Sequence, residues 1–195
     1  MSAPVRRLAA TALVVGALAL GSGGARAATV GGVEVEPALE VAGAPLELAG
    51  AGVRTRFLIK LYVAALYLPG GMDAGDATGV TFADEPMAIT LDIVSDRVTR
   101  ERMVEALREG FAASTGGDTA PVQDGIDAML GAMDAPIEAG SSYTLAYEPG
   151  VGTRLLRGAE EALVVEGVAF KRALFGIWLS DDPVQASLKA DMTGG

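Results

Sequence analysis

Arg54, Tyr62 and Tyr67 lie in a run, residues 50–69, whose other members are mostly small, aliphatic or aromatic. A guanidinium is a rigid fork of five donors. It grips a carboxylate in bidentate fashion, or stabilises a phenolate or enolate oxygen, and a neighbouring phenol adds one directed hydroxyl. The same residues have an ordinary reading, with Arg54 and Arg56 paired to surface carboxylates and the phenols as strand residues with wet hydroxyls. Positioning them for chemistry requires strands. Gly50-Ala51-Gly52 permits close backbone approach or positive φ, and the residues after it show the β-branched and aromatic enrichment of strands. As one unbroken strand the run would put Arg54, Arg56, Leu58, Lys60, Tyr62, Ala64 and Leu66 on one face. A turn at 57–59 would instead make Arg54 and Tyr62 cross-strand neighbours.

Composition removes much other chemistry. The 195 residues contain no Cys and no His, so Cys-His and Ser-His-Asp nucleophilic sites, haem attachment, ordinary zinc sites and disulfides are all excluded. Oxygen-only metal ligation would have to use Asp73, Asp76 or Asp181-Asp182, whose spacing fits no calcium loop. They read as turn-forming acids, and neither a metal nor a cofactor is expected. Arg6-Arg7, the apolar stretch 8–20, Gly21-Ser22-Gly23-Gly24 and Ala25-Arg26-Ala27 have the form of a secretory signal peptide over 1–27. The expectation is therefore an exported, periplasmic or secreted protein with no stable membrane insertion after cleavage. Three of the fifteen basic residues, and no acid, lie in that leader, so the formal charge moves from −10 to −13 on its removal. Such a field argues against nucleic acid and against an anionic membrane surface as partners. Residues 28–195 suit one domain, with no linker or repeat.

The remaining pattern alternates strands and helices. Residues 28–48 read as two strands and a turn, 70–79 as a Gly/Asp loop, and 87–94 as a half-buried strand. Thr99 caps a helix with Met103, Leu107 and Phe111 on one stripe, ended by Gly116-Gly117. Pro121 opens a second helix, 143–147 and 153–157 form a hairpin across Pro149-Gly150, and 162–166 add a strand. Helices over 169–179 and from Asp182-Pro183 onward finish the chain. Hairpin turns rather than crossovers predict an α+β fold, a mainly antiparallel sheet with helices on one face.

Gly-Ala-Gly-Val-Arg at 50–54, with Lys-Leu-Tyr-Val-Ala-Ala-Leu-Tyr-Leu at 60–68, resembles the signature hairpin of the chalcone isomerase-like superfamily. Residues 168–184 resemble the closing helix-turn-helix of its bacterial branch. The resemblance implies an open-faced β-sandwich whose sheet is covered by a helical layer, with the ligand cleft between them. It places Arg54 where the plant isomerases carry the arginine that assists phenolate attack on an enone, and Tyr62 where fatty-acid-binding members carry a tyrosine. It places Thr99 and Ala106 where the isomerases have a tyrosine and an asparagine that grip substrate hydroxyls, and Ala106 has no such group. Three readings stay open. One is a non-catalytic binder of a fatty acid or similar apolar carboxylate, with Arg54 and Tyr62 on the head and Phe57, Leu66, Phe111, Phe170 and Trp178 along the tail. Another is an intramolecular lyase acting on a polyphenol, with Arg54 and Tyr62 catalytic. The third is an envelope protein with a vestigial cleft and an unknown protein partner.

Overall fold

The apolar run after Lys60 becomes the middle of a sheet, because its side chains are buried on both faces. The computed structural model describes residues 27–195; the expected leader, apart from Ala27, lies outside them. β1 (Ala28–Val30) and β2 (Val33–Val35) form a separate hairpin. β3 (Ala38–Val41), β4 (Ala44–Arg56), β5 (Ile59–Leu68), β6 (Met87–Ile93), β7 (Ser142–Glu148), β8 (Gly152–Arg157) and β9 (Glu160–Val165) make one seven-stranded sheet in chain order. Every neighbour is antiparallel. The helices are α1 (Ala77–Phe82), α2 (Arg100–Ser114), α3 (Gln123–Ala132, after a 3₁₀ turn at Ala120–Val122), α4 (Val168–Leu179) and α5 (Ala186–Thr193). This is the expected α+β architecture. Among the described residues no helix is long and apolar enough to cross a membrane.

Period-two alternation splits β5 between two cores. Tyr62, Ala64, Leu66 and Leu68 face the main core under the helices, while Val63, Ala65 and Tyr67 face a smaller one that includes Val35 and Leu46. Gly50 and Gly52 of β4 owe their identity to α5. A Cβ at Gly50 would strike the Asp191 and Met192 carbonyls, and one at Gly52 would lie 2.6 Å from Asp191 Cβ and 3.0 Å from Leu188 Cδ1. The close approach anticipated at these glycines is thus made by the last helix.

Three local expectations need correction. Residues 28–48 hold β1, β2, β3 and the start of β4, because Gly31-Gly32 and Ala42-Gly43 add turns of positive φ. The 70–79 loop runs into α1, whose N-cap Asp76 accepts a hydrogen bond from Gly79 N at 2.8 Å. Its other end is held from far away in sequence: Lys171 Nζ donates to the carbonyls of Val80, Thr81 and Ala83 at 2.9, 2.9 and 2.7 Å. A six-residue helix containing Gly79 is too short to stand alone, so that clamp supplies what local propensity does not. Finally, α5 starts at Ala186 rather than beside Pro183, since Gln185 is extended and turned back onto β4.

Candidate ligand-binding site

The hairpin of β4 and β5 closes in a two-residue loop, Phe57-Leu58, and its register pairs Arg54 with Tyr62. The two phenols therefore separate. Tyr62 faces the helices, whereas Tyr67 faces the opposite core and donates to Glu36 O at 3.0 Å. A bulge sits beside the pair, between Arg54 and Thr55, and lets the consecutive residues Leu61 and Tyr62 line one cavity, which strict alternation forbids. That cavity, about 420 Å³, lies between the hairpin, α2 and the C-terminal half of α4. Its volume falls within the ~300–1,000 Å³ usual for small-molecule sites.

At the floor, Trp178 Nε1 donates to Tyr62 Oη at 3.2 Å, and both side chains are buried. Burial raises the Tyr62 phenol above its ordinary pKa, with the Trp178 N–H and the Arg54 guanidinium pulling the other way. Tyr62 is accordingly protonated at neutral pH. Its oxygen is taken by Trp178, and among the described residues its hydroxyl hydrogen has no acceptor, so it is left to donate into the cavity.

Arg54 is oriented by Gln185. Its Nη1 donates to Gln185 Oε1 at 2.9 Å and to Thr55 O at 2.8 Å; the same Gln185 oxygen accepts Thr55 N, and its amide donates to Val53 O and Ser187 Oγ. Among the described residues the ion pairs are those of Arg154 with Glu148 and Glu161, so Arg54 has no carboxylate partner. A half-buried guanidinium and a phenolic hydroxyl thus converge beside an apolar wall that includes Leu61, Val98, Met103, Leu107 and Ile177. The chemistry this offers is two or three donors for one small anion, with a hydrophobic slot beyond.

The structure brings Arg54, Tyr62 and Trp178 together and puts Phe57 on the rim, 85% exposed. It does not bring Leu66, Phe111 or Phe170 to the cavity. Leu66 lies further along β5 under the helices, and Phe111 stacks on Phe170 in the main core with centroids 5.8 Å apart. Large apolar residues far from the hairpin mouth are consumed by packing between sheet and helices. Ala106 does line the cavity, while Thr99 caps α2, accepting Arg102 N at 3.4 Å. Missed were Gln185, Arg97 and Arg102; the last belongs to the polar face of α2 by periodicity and comes to the rim only because that face borders the hairpin tip. No sequence signal marks Gln185. A larger depression of about 770 Å³ near α2 and α3 is shallow and rimmed by alternating charges such as Arg100, Glu101, Arg108 and Asp127. It has no comparable apolar floor.

Phe57 and Leu58 carry φ values of 49° and 64°. Two-residue hairpin loops of this hand usually hold Asn-Gly, because left-handed backbone costs a side-chain-bearing residue about 1–2 kcal/mol. Here the loop holds two large apolar side chains, the second 97% exposed.

A curled antiparallel sheet under a helical layer, with a cationic and phenolic cavity between the two, defines an open-faced α+β fold. A family model described as chalcone isomerase-like matches residues 27–194, and the chain belongs to that family. Its fold is similar to the crystal structure of a fatty-acid binding protein from Arabidopsis thaliana, with a TM-score of 0.66 and 16% identity over 83% of this chain and 92% of that one. A search of curated protein sequences finds no match.

Proposed function

We propose that this chain is an exported, non-catalytic binder of a fatty acid or similar apolar carboxylate. The observation that carries the reading is a pair of convergent donors without an anion: Arg54, which has no carboxylate partner among the described residues, beside Tyr62, which lines the same cavity and whose hydroxyl hydrogen has no acceptor among the described residues. A carboxylate takes one oxygen to each donor and its alkyl chain displaces water along the Met103, Leu107 and Ile177 wall. At about 30 Å³ for each water-sized group, 420 Å³ accommodates roughly a dozen such groups, which suits a medium-chain acid. The likeness in fold to a fatty-acid binding protein supports the same reading. Isomerisation of a polyphenol is less well served. Burial keeps Tyr62 a proton donor, and Ala106 offers no side-chain contact to a substrate hydroxyl.

The test is mass spectrometry of organic extracts from protein purified without detergent, wild type against Arg54→Ala. Near-stoichiometric medium-chain acid is expected in the wild type. Losing the charge-assisted hydrogen bond from Arg54 lowers affinity about 10- to 100-fold, so the variant retains little. A wild type that carries no acid and binds none added in titration overturns the reading.

A further inference from the structure

Leu58 makes almost no contact within its own chain, yet it stands with Phe57 at the apex of a hairpin whose backbone is strained by those two side chains. Within the fold Phe57 meets the Arg56 guanidinium, 5.6 Å from its ring centroid, whereas the Leu58 side chain is 97% exposed. Ile59 extends the apolar apex, 37% exposed. Around it stand Arg56 and Lys60 on the two hairpin strands, with Arg97 and Arg102 across the cavity rim. With Arg54 these are five of the twelve Lys and Arg that remain of fifteen once Arg6, Arg7 and Arg26 of the leader are set aside. The carboxylates on the same rim are Glu105 and Glu109.

We propose that the tip of this hairpin docks the protein on a bilayer bearing anionic headgroups, with Phe57, Leu58 and Ile59 entering the interfacial layer and Arg56, Lys60, Arg97 and Arg102 contacting phosphates. The net negative charge argued against such a surface. The net charge sets the average field but not the contact, because charges on the far side are screened beyond about 8 Å at physiological salt. What a bilayer meets in this orientation is a cationic ring around an apolar apex, the combination that interfacial anchors use. Docking rests on the tip alone. That the bilayer also supplies the cavity's ligand, whose mouth opens between the same residues, rests on the carboxylate-binding reading.

The experiment is cosedimentation of the full chain, as recovered from cells, with vesicles of phosphatidylglycerol and phosphatidylcholine, and with pure phosphatidylcholine, at low and high salt. Wild type, Leu58→Asp and Leu58→Asn are compared. Leu58 does not line the cavity, so the acid content of the extracts should be the same in all three. Partition onto anionic vesicles should weaken as salt rises and fall about tenfold or more in Leu58→Asp, with Leu58→Asn behaving similarly. Wild-type protein that stays off anionic vesicles, or partition indifferent to both substitutions, overturns the docking while leaving the extract result standing. So does a sizing experiment in which Leu58→Asp dissolves a dimer, since the tip would then be an interface between two copies.

Discussion

Replacing Lys171 by Met tests whether a buried ammonium is a fastening or a burden. The side chain is fully buried on α4, donates three hydrogen bonds to the C-terminal carbonyls around α1, and sits over the Tyr147 ring at 5.3 Å. Two terms compete. Removing the charge relieves a desolvation cost of several kcal/mol, and a well-packed apolar replacement of a buried ion is often neutral. Against that, the carbonyls are stranded. Val80 and Thr81 are buried, so their oxygens gain no easy water and cost about 1–3 kcal/mol each, whereas Ala83 is half-exposed and rehydrates. Lost attraction to the Tyr147 ring adds about 0.5–1 kcal/mol. The losses prevail because the acceptors are fixed backbone that Met cannot satisfy, and a net destabilisation of about 3 kcal/mol follows. In urea, with a slope of about 2 kcal/mol/M, the midpoint should fall by about 1.5 M at unchanged slope. Protease cleavage within 70–86 should appear first, since α1 loses the three-bond clamp on its C-terminal end and keeps only the exposed Arg172 Nη2 to Phe82 O bond at 3.2 Å among the described long-range hydrogen bonds. The pH signature has a definite sign. Burial pushes Lys171 down to about 8 from 10.5, so between those values the unfolded chain holds the extra proton and this group adds stability as pH rises. Lys171→Met should lack that gain. A midpoint within about 0.2 M of wild type would refute the reasoning, showing that the carbonyls find water at no cost.

Three further outcomes are expected. All four tyrosines have phenols raised by burial, Tyr67 and Tyr147 to about 12, so absorbance at 295 nm should show far less phenolate near pH 10 than four free phenols give, with most of the rise arriving cooperatively on alkaline unfolding. Because the folded pKa values exceed the unfolded 10, these groups stabilise below pH 10 and lose that contribution as pH climbs past it; a gradual titration in the native state would contradict the burial described. Leu58→Gly should raise the melting temperature by about 1–4 °C, since relief of about 1–2 kcal/mol of left-handed strain exceeds glycine's entropic cost of about 0.5–1 kcal/mol. A lower melting temperature would mean the tip is unstrained. Gln185→Ala should weaken binding of a medium-chain acid about fivefold by freeing Arg54, well short of the Arg54→Ala loss, as measured by calorimetry; an effect equal to that of Arg54→Ala would assign Gln185 to the ligand itself.

The hairpin of β4 and β5 was legible because its signals are local. Small residues, a β-branched and aromatic run, and a charge and phenol eight positions apart are read within twenty residues, while the choice between one unbroken strand and the 57–59 turn that pairs Arg54 with Tyr62 was made by the fold. The α2 stripe was legible for the same reason, its period and its Thr99 cap lying within one element. Which side chains reach the ligand was not legible. Phe111 and Phe170 have the composition of a tail pocket, yet helix packing turns them onto each other in the core.

By itself the sequence determined the chemistry available and excluded: one well-placed guanidinium and its phenol, no thiol or imidazole, and the alternation that makes an antiparallel sheet under helices. Only the tertiary structure decided that Gln185, 131 residues away, would aim Arg54; that Lys171 would close a helix 90 residues upstream; and that Arg97 and Arg102 would come to the rim beside the hairpin cations. The physical reason is range. Propensity, capping and periodicity act over a turn or a strand pair, whereas a buried donor takes whichever acceptor the packed core delivers, and a charge acts on whatever lies within a screening length, wherever the chain has come from.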